Sequence, residues 1–556
     1  MYRAVRALLV CCLALATAGL TTSPVAAAPV APTVSVAPVS STALNVSWTS
    51  TTDPTNWWVI VTGADDRSVG QRTACGSCRA VVVAHLAPGS RYYVRVVGVD
   101  AVTGFQAFSA AIPATTPAAA GCAAASAAAV CAFVDGSKPV GAATGVGTGS
   151  LHSITADTAA GEVAPLKPSA WRISALDLAS FAQARSYGGN ITLILSDPWT
   201  VDLSAMPPWD ALDLYRWWVG AVVDGQIANG AVPDFWDVQN EPGANAYVGG
   251  TPATDDLVAE QFQVASQVIH QRLPAAKVIG PSTGYPTFGT GLANISGFLQ
   301  RAVANGTALA AVSWHEIGAG CLGYCDGSPR AVLQHADDAR AAIAAQPGAG
   351  PLDLQVNEWG APWNYSQPGA VVGYLSSLAY AGIATANPAC WDGSCNAQPG
   401  TLDGLLLADG TTPTDAWFAH KAYADMTGPG RTLLDSTIAD PEASVMSTVD
   451  QFGTIRVLIG RHSGCQTGVD ANCPGLSYAP AQAVQVLVRA NTSRRYTITT
   501  SRIASVSGAL SAPATVVRGS VLSSPSGIVN AGSYTVGDGE ALVVTLTPQS
   551  PYFNWR

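Results

Sequence analysis

The stretches DFWDVQNEP (residues 234–242) and LDLQVNEWG (residues 352–360) decide the fold of this chain. Each is a short apolar run that ends in an Asn-Glu pair, Asn240-Glu241 in the first and Asn357-Glu358 in the second. Short apolar runs of this kind indicate buried strands. In a barrel of parallel strands, residues at the carboxyl ends of the strands point into the mouth. The two stretches therefore predict a pair of carboxylates that face one cleft.

The spacing of the two glutamates tests this interpretation. Glu241 and Glu358 are 117 residues apart, and two further strand-like runs, 277–281 and 310–314, lie between them. Three strand-helix steps of about 39 residues each would fill this interval, which is a reasonable unit size for a (β/α)8 barrel. We therefore expect Glu241 to end strand four and Glu358 to end strand seven.

The region from residue 130 to residue 428 alternates strand-like runs with amphipathic helix signals, a pattern typical of a parallel α/β fold. One helix face comprises Leu212, Tyr215, Trp218, Val219 and Val222. About 300 residues with this alternation fit an eightfold TIM barrel with insertions. The strands are predicted at 170–174, 191–195, 235–240, 277–281, 310–314 and 352–358, with 405–407 as a candidate for the last.

The regions on either side of the barrel are predicted to be all-β. Residues 33–116 alternate in strand-like runs separated by turns, and they resemble a fibronectin type III module. Trp48 matches that family's early core tryptophan, and LAPGSRYYVRVVGVD (residues 86–100) matches its tyrosine corner, with Tyr92 as the corner tyrosine. Residues 117–129 predict an Ala-rich linker. Residues 430–556 predict a C-terminal β-sandwich with a packing or binding role.

The amino terminus has the features of an export signal. Arg3 and Arg6 precede an almost wholly apolar run over 7–20, and three alanines at 26–28 offer a cleavage site. We expect residues 1–28 to be a signal peptide and the protein to be secreted, from a bacterium. The apolar run is shorter than the roughly 20 residues of a membrane span, so no membrane span is expected.

Cysteine spacing indicates disulfides in an exported chain. Ten of the 12 cysteines lie beyond the signal, in five close pairs, and this even, clustered count favours disulfides over a metal site. Sequential pairing is the preferred connectivity. The pairs are Cys75/Cys78, Cys122/Cys131, Cys321/Cys325, Cys390/Cys395 and Cys465/Cys473.

The charge balance limits the possible partners. Only 12% of the residues are charged, the formal net charge is −10, and the sequence shows no basic stripe. Nucleic acids and anionic membranes are therefore not expected as partners, because both are bound mainly through clustered Lys and Arg. A weakly charged surface suits a neutral partner such as a carbohydrate.

Paired carboxylates are the groups that hydrolysis of a glycosidic bond requires. One carboxyl group protonates the leaving oxygen, and the other attacks the sugar or activates water. The acid must keep its proton near neutrality, so we expect burial and the second carboxylate to raise its pKa. A separation of about 5 to 5.5 Å allows retention, whereas a wider gap admits water for inversion. This chemistry needs no cofactor and no metal.

With Asn-Glu-Pro at the first site and a glutamate at the second, the barrel region resembles clan A of the retaining glycoside hydrolases. Together with the predicted terminal sandwich, it is most similar to glycoside hydrolase family 39 and its neighbours. The resemblance implies that Glu241 is the general acid/base, that Glu358 is the nucleophile and that Asn240 binds the C-2 hydroxyl of the sugar. It also implies that Arg172 keeps the nucleophile ionised and that His315 touches it.

The sequence departs from the family pattern at two positions. Gln239 stands where many relatives have tryptophan, and Asn357 stands where family 39 often has threonine. Glu316 is a third carboxylate close by and is a competing candidate for the nucleophile. Arg172 has a second interpretation as a structural ion-pair partner within the barrel.

Aromatic residues in the loops after the strands could line a sugar cleft, because sugars stack on aromatic faces. We predict substrate contacts for Trp199, Trp359 and Trp391, with core or loop packing as the alternative for each. Asp197 could bind a sugar hydroxyl or could instead cap a turn.

Two other functions compete with a glycosidase. One is a carbohydrate-binding or adhesion protein on an inactive barrel, which the intact glutamate pair argues against. The other is a serine hydrolase, for which we find no Gly-x-Ser-x-Gly elbow with a placed histidine. The expected substrate is an oligosaccharide or polysaccharide of plant or microbial origin.

Overall fold

A computed structural model gives the fold of most of the chain. The structure describes residues 30–52, 54, 56–63, 71–74, 77–99, 106–152, 154, 160–174, 177–195, 212–242, 246–248, 251–252, 255–286, 294–317, 328–361, 364–389, 402, 404–462, 480–490, 494–506, 512–522 and 527–549. The predicted signal peptide at 1–28 lies outside these residues.

The amino-terminal region is all-β, as predicted. Its strands form two antiparallel sheets, one in the order β1-β2-β5 and one in the order β4-β3-β6-β7, with β8 paired to β6. The ring centroids of Trp48 and Trp57 lie 5.7 Å apart in the core, and the Tyr92 hydroxyl accepts a hydrogen bond from the Ala87 N–H at 2.6 Å. The strands are Thr33–Ser40 (β1), Ala43–Thr49 (β2), Asn56–Thr62 (β3), Gln71–Ala74 (β4), Ala80–Val83 (β5), Arg91–Val99 (β6), Gln106–Phe108 (β7) and Ile112–Thr115 (β8).

The predicted start of the barrel at residue 130 is wrong. The strand Val130–Ala142 (β9) pairs antiparallel with residues 432–438 and parallel with residues 484–489, so it belongs to the C-terminal sheet. A disulfide between Cys122 and Cys131 ties the preceding linker to this strand. The sequence shows an apolar run here, but not its partner strands, which lie some 300 residues further along the chain.

Eight strands, all parallel and in sequential order, form the barrel. The Asn387 side chain donates a hydrogen bond to the Ser150 carbonyl at 2.8 Å, so the last strand meets the first. The strands are Ser150–Leu151 (β10), Ala170–Ser174 (β11), Asn190–Ile194 (β12), Phe235–Asp237 (β13), Val278–Thr283 (β16), Ala311–Glu316 (β17), Asp353–Trp359 (β18) and Thr385–Pro388 (β19), with a hairpin of Ala246–Val248 (β14) and Thr251–Pro252 (β15) inserted after the fourth.

This topology confirms the position of both glutamates and corrects one strand. Glu241 follows the fourth barrel strand and Glu358 lies in the seventh, as the spacing predicts. The last strand is β19, not 405–407, where Leu406 makes only an isolated bridge to Pro413.

Helices surround the barrel and bury their apolar faces against it. Tyr215, Val219 and Val222 on the predicted face of one helix are buried, and Phe262 packs edge-on against Phe298 at 4.8 Å. Within the described part of the chain, no helix is both long and apolar enough to cross a membrane. The helices are Ala160–Val163 (α1), Leu178–Tyr187 (α2), Leu212–Ala228 (α3), Asp255–Arg272 (α4), Ile295–Ala304 (α5), Ala331–Ala344 (α6), Pro368–Tyr380 (α7) and Asp415–Met426 (α8).

The C-terminal region is also all-β. Its strands form one nine-stranded sheet in the order β25-β24-β27-β22-β21-β20-β9-β23-β26, in which β9 is the contribution from before the barrel. The sheet packs on helix α7, where the Gly369 backbone lies against the Arg461 carbonyl. The strands are Arg431–Ile438 (β20), Ala443–Asp450 (β21), Ile455–Arg461 (β22), Gln482–Arg489 (β23), Arg495–Ile503 (β24), Thr515–Leu522 (β25), Ile528–Val536 (β26) and Ala541–Pro548 (β27).

Arg330, just before helix α6, joins the three parts of the molecule. Its guanidinium donates to the carbonyl of His85 in the amino-terminal region at 2.9 Å and to the carbonyl of Ala443 in the C-terminal sheet at 3.0 Å. Beside it, His85 Nε2 lies 2.7 Å from Asp337 Oδ2 on α6. The amino-terminal region is therefore packed against the barrel.

Candidate active site

Glu241 is held at the end of the fourth barrel strand by the fifth. Its N–H donates to the Ser282 carbonyl at 2.9 Å, and both residues have left-handed backbones, with φ of 49° at Glu241 and 53° at Ser282. Such a conformation is uncommon for residues other than glycine, and it is most often found where the surrounding structure imposes it. The Glu241 side chain is partly buried, with 21% of its surface exposed.

Glu358 is held within the seventh strand. A register shift between Trp314 and His315 places Glu358 opposite His315 in the sixth strand, β17. The Glu358 carboxylate accepts a hydrogen bond from Arg172 Nη1 at 2.6 Å, and only 13% of its side-chain surface is exposed. The second predicted carboxylate is therefore ion-paired and faces the same mouth as Glu241.

Arg172, fully buried in strand β11, connects three polar side chains. Nη1 donates to Glu358, Nη2 donates to Asn240 Oδ1 at 2.7 Å, and Nε donates to Asp237 Oδ2 at 2.9 Å. Burial lowers the pKa of Arg172, but the charges of Asp237 and Glu358 outweigh it and raise the pKa above the ordinary arginine value. Arg172 is therefore a permanent cation in direct contact with the Glu358 carboxylate.

Asp237 lies at the centre of a buried network below the site and was not among the predicted site residues. Besides Arg172, it accepts hydrogen bonds from Ser282 Oγ at 2.6 Å and from Asn357 Nδ2 at 2.9 Å. Ser282 Oγ also lies 2.8 Å from Ser313 Oγ. The sequence did contain a signal for Asp237, because it is a charged residue inside an otherwise apolar strand run. Buried charges are normally paired, so such a residue indicates a partner nearby.

His315 contacts both glutamates. Its Nδ1 lies 3.0 Å from Glu241 Oε1 and 3.6 Å from Glu358 Oε2, so the shorter contact is to the predicted acid/base and not to the predicted nucleophile. The ring is fully buried, and its Nε2 has no hydrogen-bond partner among the described residues.

The pKa of Glu241 departs from the expectation. Burial raises it, but the hydrogen bond and charge of His315, together with the charge of Arg172, outweigh burial and hold it below the ordinary carboxyl value. The sequence predicted a raised pKa because it shows the two acids but not the donor that the fold places between them. The ligand-free site therefore favours an ionised Glu241.

The side-chain atoms of the two glutamates and the histidine lie close together. The nearest carboxylate oxygens of Glu241 and Glu358 and the ring nitrogen of His315 are all within 4.8 Å of one another. Two carboxylates and an imidazole are also a donor set that divalent metals accept. A cation here would have to compete with the ion pair between Glu358 and Arg172.

Solved structures with this fold include glycoside hydrolases. N2152 from Neocallimastix frontalis matches with a TM-score of 0.59 and 16% identity, over 76% of this chain and 100% of that one. A beta-xylosidase from Caulobacter crescentus matches with a TM-score of 0.54 and 16% identity, over 76% and 100%. The GH39 enzyme from Xanthomonas axonopodis pv. citri matches with a TM-score of 0.53 and 16% identity, over 76% and 98%.

At these identities the likeness establishes the fold of the chain. No protein-family model and no curated protein sequence matches it.

Other predicted residues fall in different places. Trp359 is 1% exposed and packs against Tyr374 and His420, with ring centroids 5.4 and 5.7 Å away, so its face is not open to a sugar and the predicted substrate contact is not supported. The cysteine pair Cys122/Cys131 is confirmed as a disulfide, and Cys78 is also disulfide-bonded. Outside the described residues lie Asp197, Trp199, Trp391, Cys75, Cys321, Cys325, Cys390, Cys395, Cys465 and Cys473.

Two competing assignments lose support in the structure. Glu316 is buried and bonded to Trp314 and His335, which argues against it as the nucleophile. The sequence does contain a Gly-x-Ser-x-Gly stretch, at residues 280–284. Its Ser282 is fully buried, and the hydrogen-bond partners of its hydroxyl are Asp237, Ser313 and Asn357, so no histidine is placed to activate it as a nucleophile.

Proposed function

We propose that this protein is a secreted bacterial glycoside hydrolase that cleaves O-glycosidic bonds with retention of configuration. The observation that supports this best is the approach of the Glu241 and Glu358 carboxylates to within 4.8 Å, with Arg172 bonded to Glu358. Such a separation corresponds to double displacement, because it leaves no room for a water between the acid and the attacking carboxylate.

In the first step, a Glu358 oxygen attacks the anomeric carbon while Glu241 gives its proton to the departing glycosidic oxygen. The bond to the leaving group breaks, and a covalent glycosyl-Glu358 ester forms. In the second step, Glu241 takes a proton from water, the hydroxide oxygen attacks the anomeric carbon, and Glu358 leaves as a carboxylate. Arg172 stabilises the free carboxylate of Glu358 before and after this cycle.

Glu241 must be protonated when substrate is bound, although His315 and Arg172 lower its pKa in the ligand-free site. A sugar in the mouth would exclude water from the partly exposed Glu241 side chain, and the loss of solvation favours its neutral form. Bound substrate therefore prepares the acid. Asn240, held by Arg172 Nη2, stands beside Glu241, where we assign it to the C-2 hydroxyl of the sugar.

Proteins of similar fold support our proposal for the substrate class. Those structures include a beta-xylosidase and a glucosidase from Croceicoccus marinus, the latter with a TM-score of 0.54 at 15% identity. We propose an oligosaccharide or polysaccharide of plant or microbial origin as the substrate and family 39 or a neighbour as the family. We also propose that residues 33–116 are a fibronectin type III module and that the C-terminal sheet, to which strand β9 contributes, folds over as a β-sandwich.

A panel of polysaccharides and aryl glycosides tests the activity. We expect sugar release by the wild type and a loss of at least about 1,000-fold in Glu358→Gln, because the nucleophile is removed. Asp353→Asn is the matched control, since Asp353 is the exposed first residue of the same strand and should leave the rate unchanged.

The mechanism has its own readouts. A fluorosugar that traps the ester should add one sugar mass to the peptide containing Glu358, and the first product should keep the anomeric configuration of the substrate by NMR. An inverted product would contradict retention. Tight binding of the panel without turnover would instead indicate the competing function, a carbohydrate-binding or adhesion protein.

A further inference from the structure

A chain of three buried or partly buried side chains lies beside the site and has no role in the steps above. Glu316, at the end of strand β17, is 5% exposed and accepts hydrogen bonds from Trp314 Nε1 at 2.6 Å and from His335 Nδ1 at 3.0 Å. His335 lies in helix α6, and its Nε2 is 3.2 Å from the Tyr285 hydroxyl. The Tyr285 ring packs edge-on against the His335 ring at 5.5 Å.

The chemistry of Glu316 sets the direction of these bonds. An ionised carboxylate accepts only, so the proton between Glu316 and His335 belongs to Nδ1. In the neutral ring, Nε2 is then an acceptor, and the Tyr285 hydroxyl donates to it. Burying a carboxylate costs free energy unless it is paired. Trp314 and His335 supply the two donors, which makes one geometry of the chain strongly preferred.

The far end of this chain lies next to Glu241. Tyr285 directly follows Gly284, whose α-carbon is so close to Glu241 that an added Cβ would lie 2.9 Å from Glu241 Oε1. Two residues earlier, the Ser282 carbonyl accepts the Glu241 N–H. The short segment 282–285 therefore forms the surface against which both the backbone and the carboxylate of Glu241 rest.

We propose that Tyr285, held by His335 and Glu316, is a positioning residue for Glu241: it fixes the segment 282–285 to helix α6 and so sets where the acid/base carboxylate points. This inference rests on the proposed glycosidase function. It assigns to Glu316 a task other than nucleophilic attack. A 1 Å error in the position of a catalytic group is enough to lower the rate substantially.

The leaving group of the substrate separates positioning from general damage. The dinitrophenolate of a dinitrophenyl glycoside can leave without a proton, whereas the phenolate of a phenyl glycoside needs the proton of Glu241 to leave. For Tyr285→Phe we expect kcat/KM to fall about tenfold with the phenyl glycoside and less than about twofold with the dinitrophenyl glycoside. The tenfold loss is only part of what general acid catalysis supplies, because Glu241 is still present but less well placed. Glu316→Gln should show the same pattern.

Tyr285→Phe keeps the ring and its edge-on packing, so it disturbs the fold little. Tyr380→Phe is the matched control, because it also removes a hydroxyl that hydrogen-bonds away from the site, to the Leu434 carbonyl and from the Ser447 N–H. The kcat/KM values of Tyr380→Phe for the phenyl and dinitrophenyl glycosides should equal those of the wild type. Unfolding temperatures of both variants complete the comparison.

The outcomes are distinguishable. Equal rates for Tyr285→Phe and wild type on the phenyl glycoside, or equal losses on both substrates, overturn the positioning role and leave the glycosidase intact. The proposed function is overturned, and this inference with it, if the wild type hydrolyses no phenyl or dinitrophenyl glycoside of any sugar tested and releases no sugar from the polysaccharide panel.

Discussion

His315 Nδ1 lies 3.0 Å from Glu241 Oε1 and 3.6 Å from Glu358 Oε2, so a single imidazole touches both glutamates. Each carboxylate also lies near the Arg172 cation, which contributes to the low pKa of Glu241. In the ligand-free site Glu241 is therefore stabilised as an anion. The proposed reaction needs one protonated acid and one ionised acid, so Glu241 must take up a proton when substrate binds.

Removal of the imidazole should shift the pH dependence of the enzyme. In His315→Ala, Glu241 loses the hydrogen bond and the charge that lower its pKa. Its pKa rises, Glu241 keeps its proton to higher pH, and the basic limb of the kcat/KM profile moves to higher pH. The rate at the optimum falls as well, because the two carboxylates lose their common partner.

The measurement is kcat/KM against pH for the substrate that the wild type cleaves. His270→Ala on helix α4 is the control, because among the described residues that histidine bonds only within its own helix and to the Ala276 carbonyl, and its loss should leave the limb in place. A basic limb that stays fixed or moves to lower pH in His315→Ala would show that His315 does not set the pKa of Glu241.

Asp237→Asn should destabilise the fold. The substitution leaves Arg172 with one buried anion fewer and turns an amide N–H toward the donors of Arg172 and Asn357. Breaking a buried ion pair costs about 3–5 kcal/mol of the free energy of unfolding. Urea denaturation measures this, with Asp224→Asn as the control, since Asp224 forms an exposed pair with Arg272 that contributes little to stability. Equal midpoints for the two variants would contradict the prediction.

Arg330→Met should loosen the amino-terminal region without affecting catalysis. The variant loses two hydrogen bonds from a charged donor, to the carbonyls of His85 and Ala443, and we expect a loss of about 3 kcal/mol in the free energy of unfolding. Protease cleavage near residues 116–130 should accelerate, while kcat stays unchanged.

The surface pair Lys421–Asp425 on helix α8 supplies the control for Arg330. Lys421→Met should cost no more than about 0.5 kcal/mol. Unchanged stability and unchanged cleavage in Arg330→Met would show that the amino-terminal region is held by other contacts.

A chelator should leave the activity unchanged. The proposed steps use two carboxylates and a proton, so EDTA removes nothing that they need. Added zinc should inhibit in competition with substrate, because Glu241, His315 and Glu358 form a set of donors within 4.8 Å. Loss of activity in EDTA that zinc restores would instead establish a metal-dependent reaction.

Several parts of the fold could be predicted because they depend on local sequence. Strand β11 has the predicted bounds 170–174, and the strands with Glu241 and Glu358 were found because an apolar run marks a buried strand wherever it occurs. Arg172 and Asn240 were matched by resemblance, and the structure brings both to the site.

Other parts depend on which segments meet. Strand β9 has the same apolar character as a barrel strand, and only its pairing with β20 and β23 places it in the C-terminal sheet. Trp359 follows the second glutamate, yet it faces the core because successive strand residues point to opposite sides. Sequence order gives no information about these contacts.

The sequence by itself determined six of the eight barrel strands, the positions of Glu241 and Glu358 in strands four and seven, and the all-β character of both flanking regions. Periodic apolar patterns suffice for these features, because burial depends on each segment's own residues. The tertiary structure alone decided the ionisation of Glu241, the network around Asp237 and the Glu316–His335–Tyr285 chain. Each of these depends on contacts of about 3 Å between residues that the fold brings together, and hydrogen bonds form only at such distances.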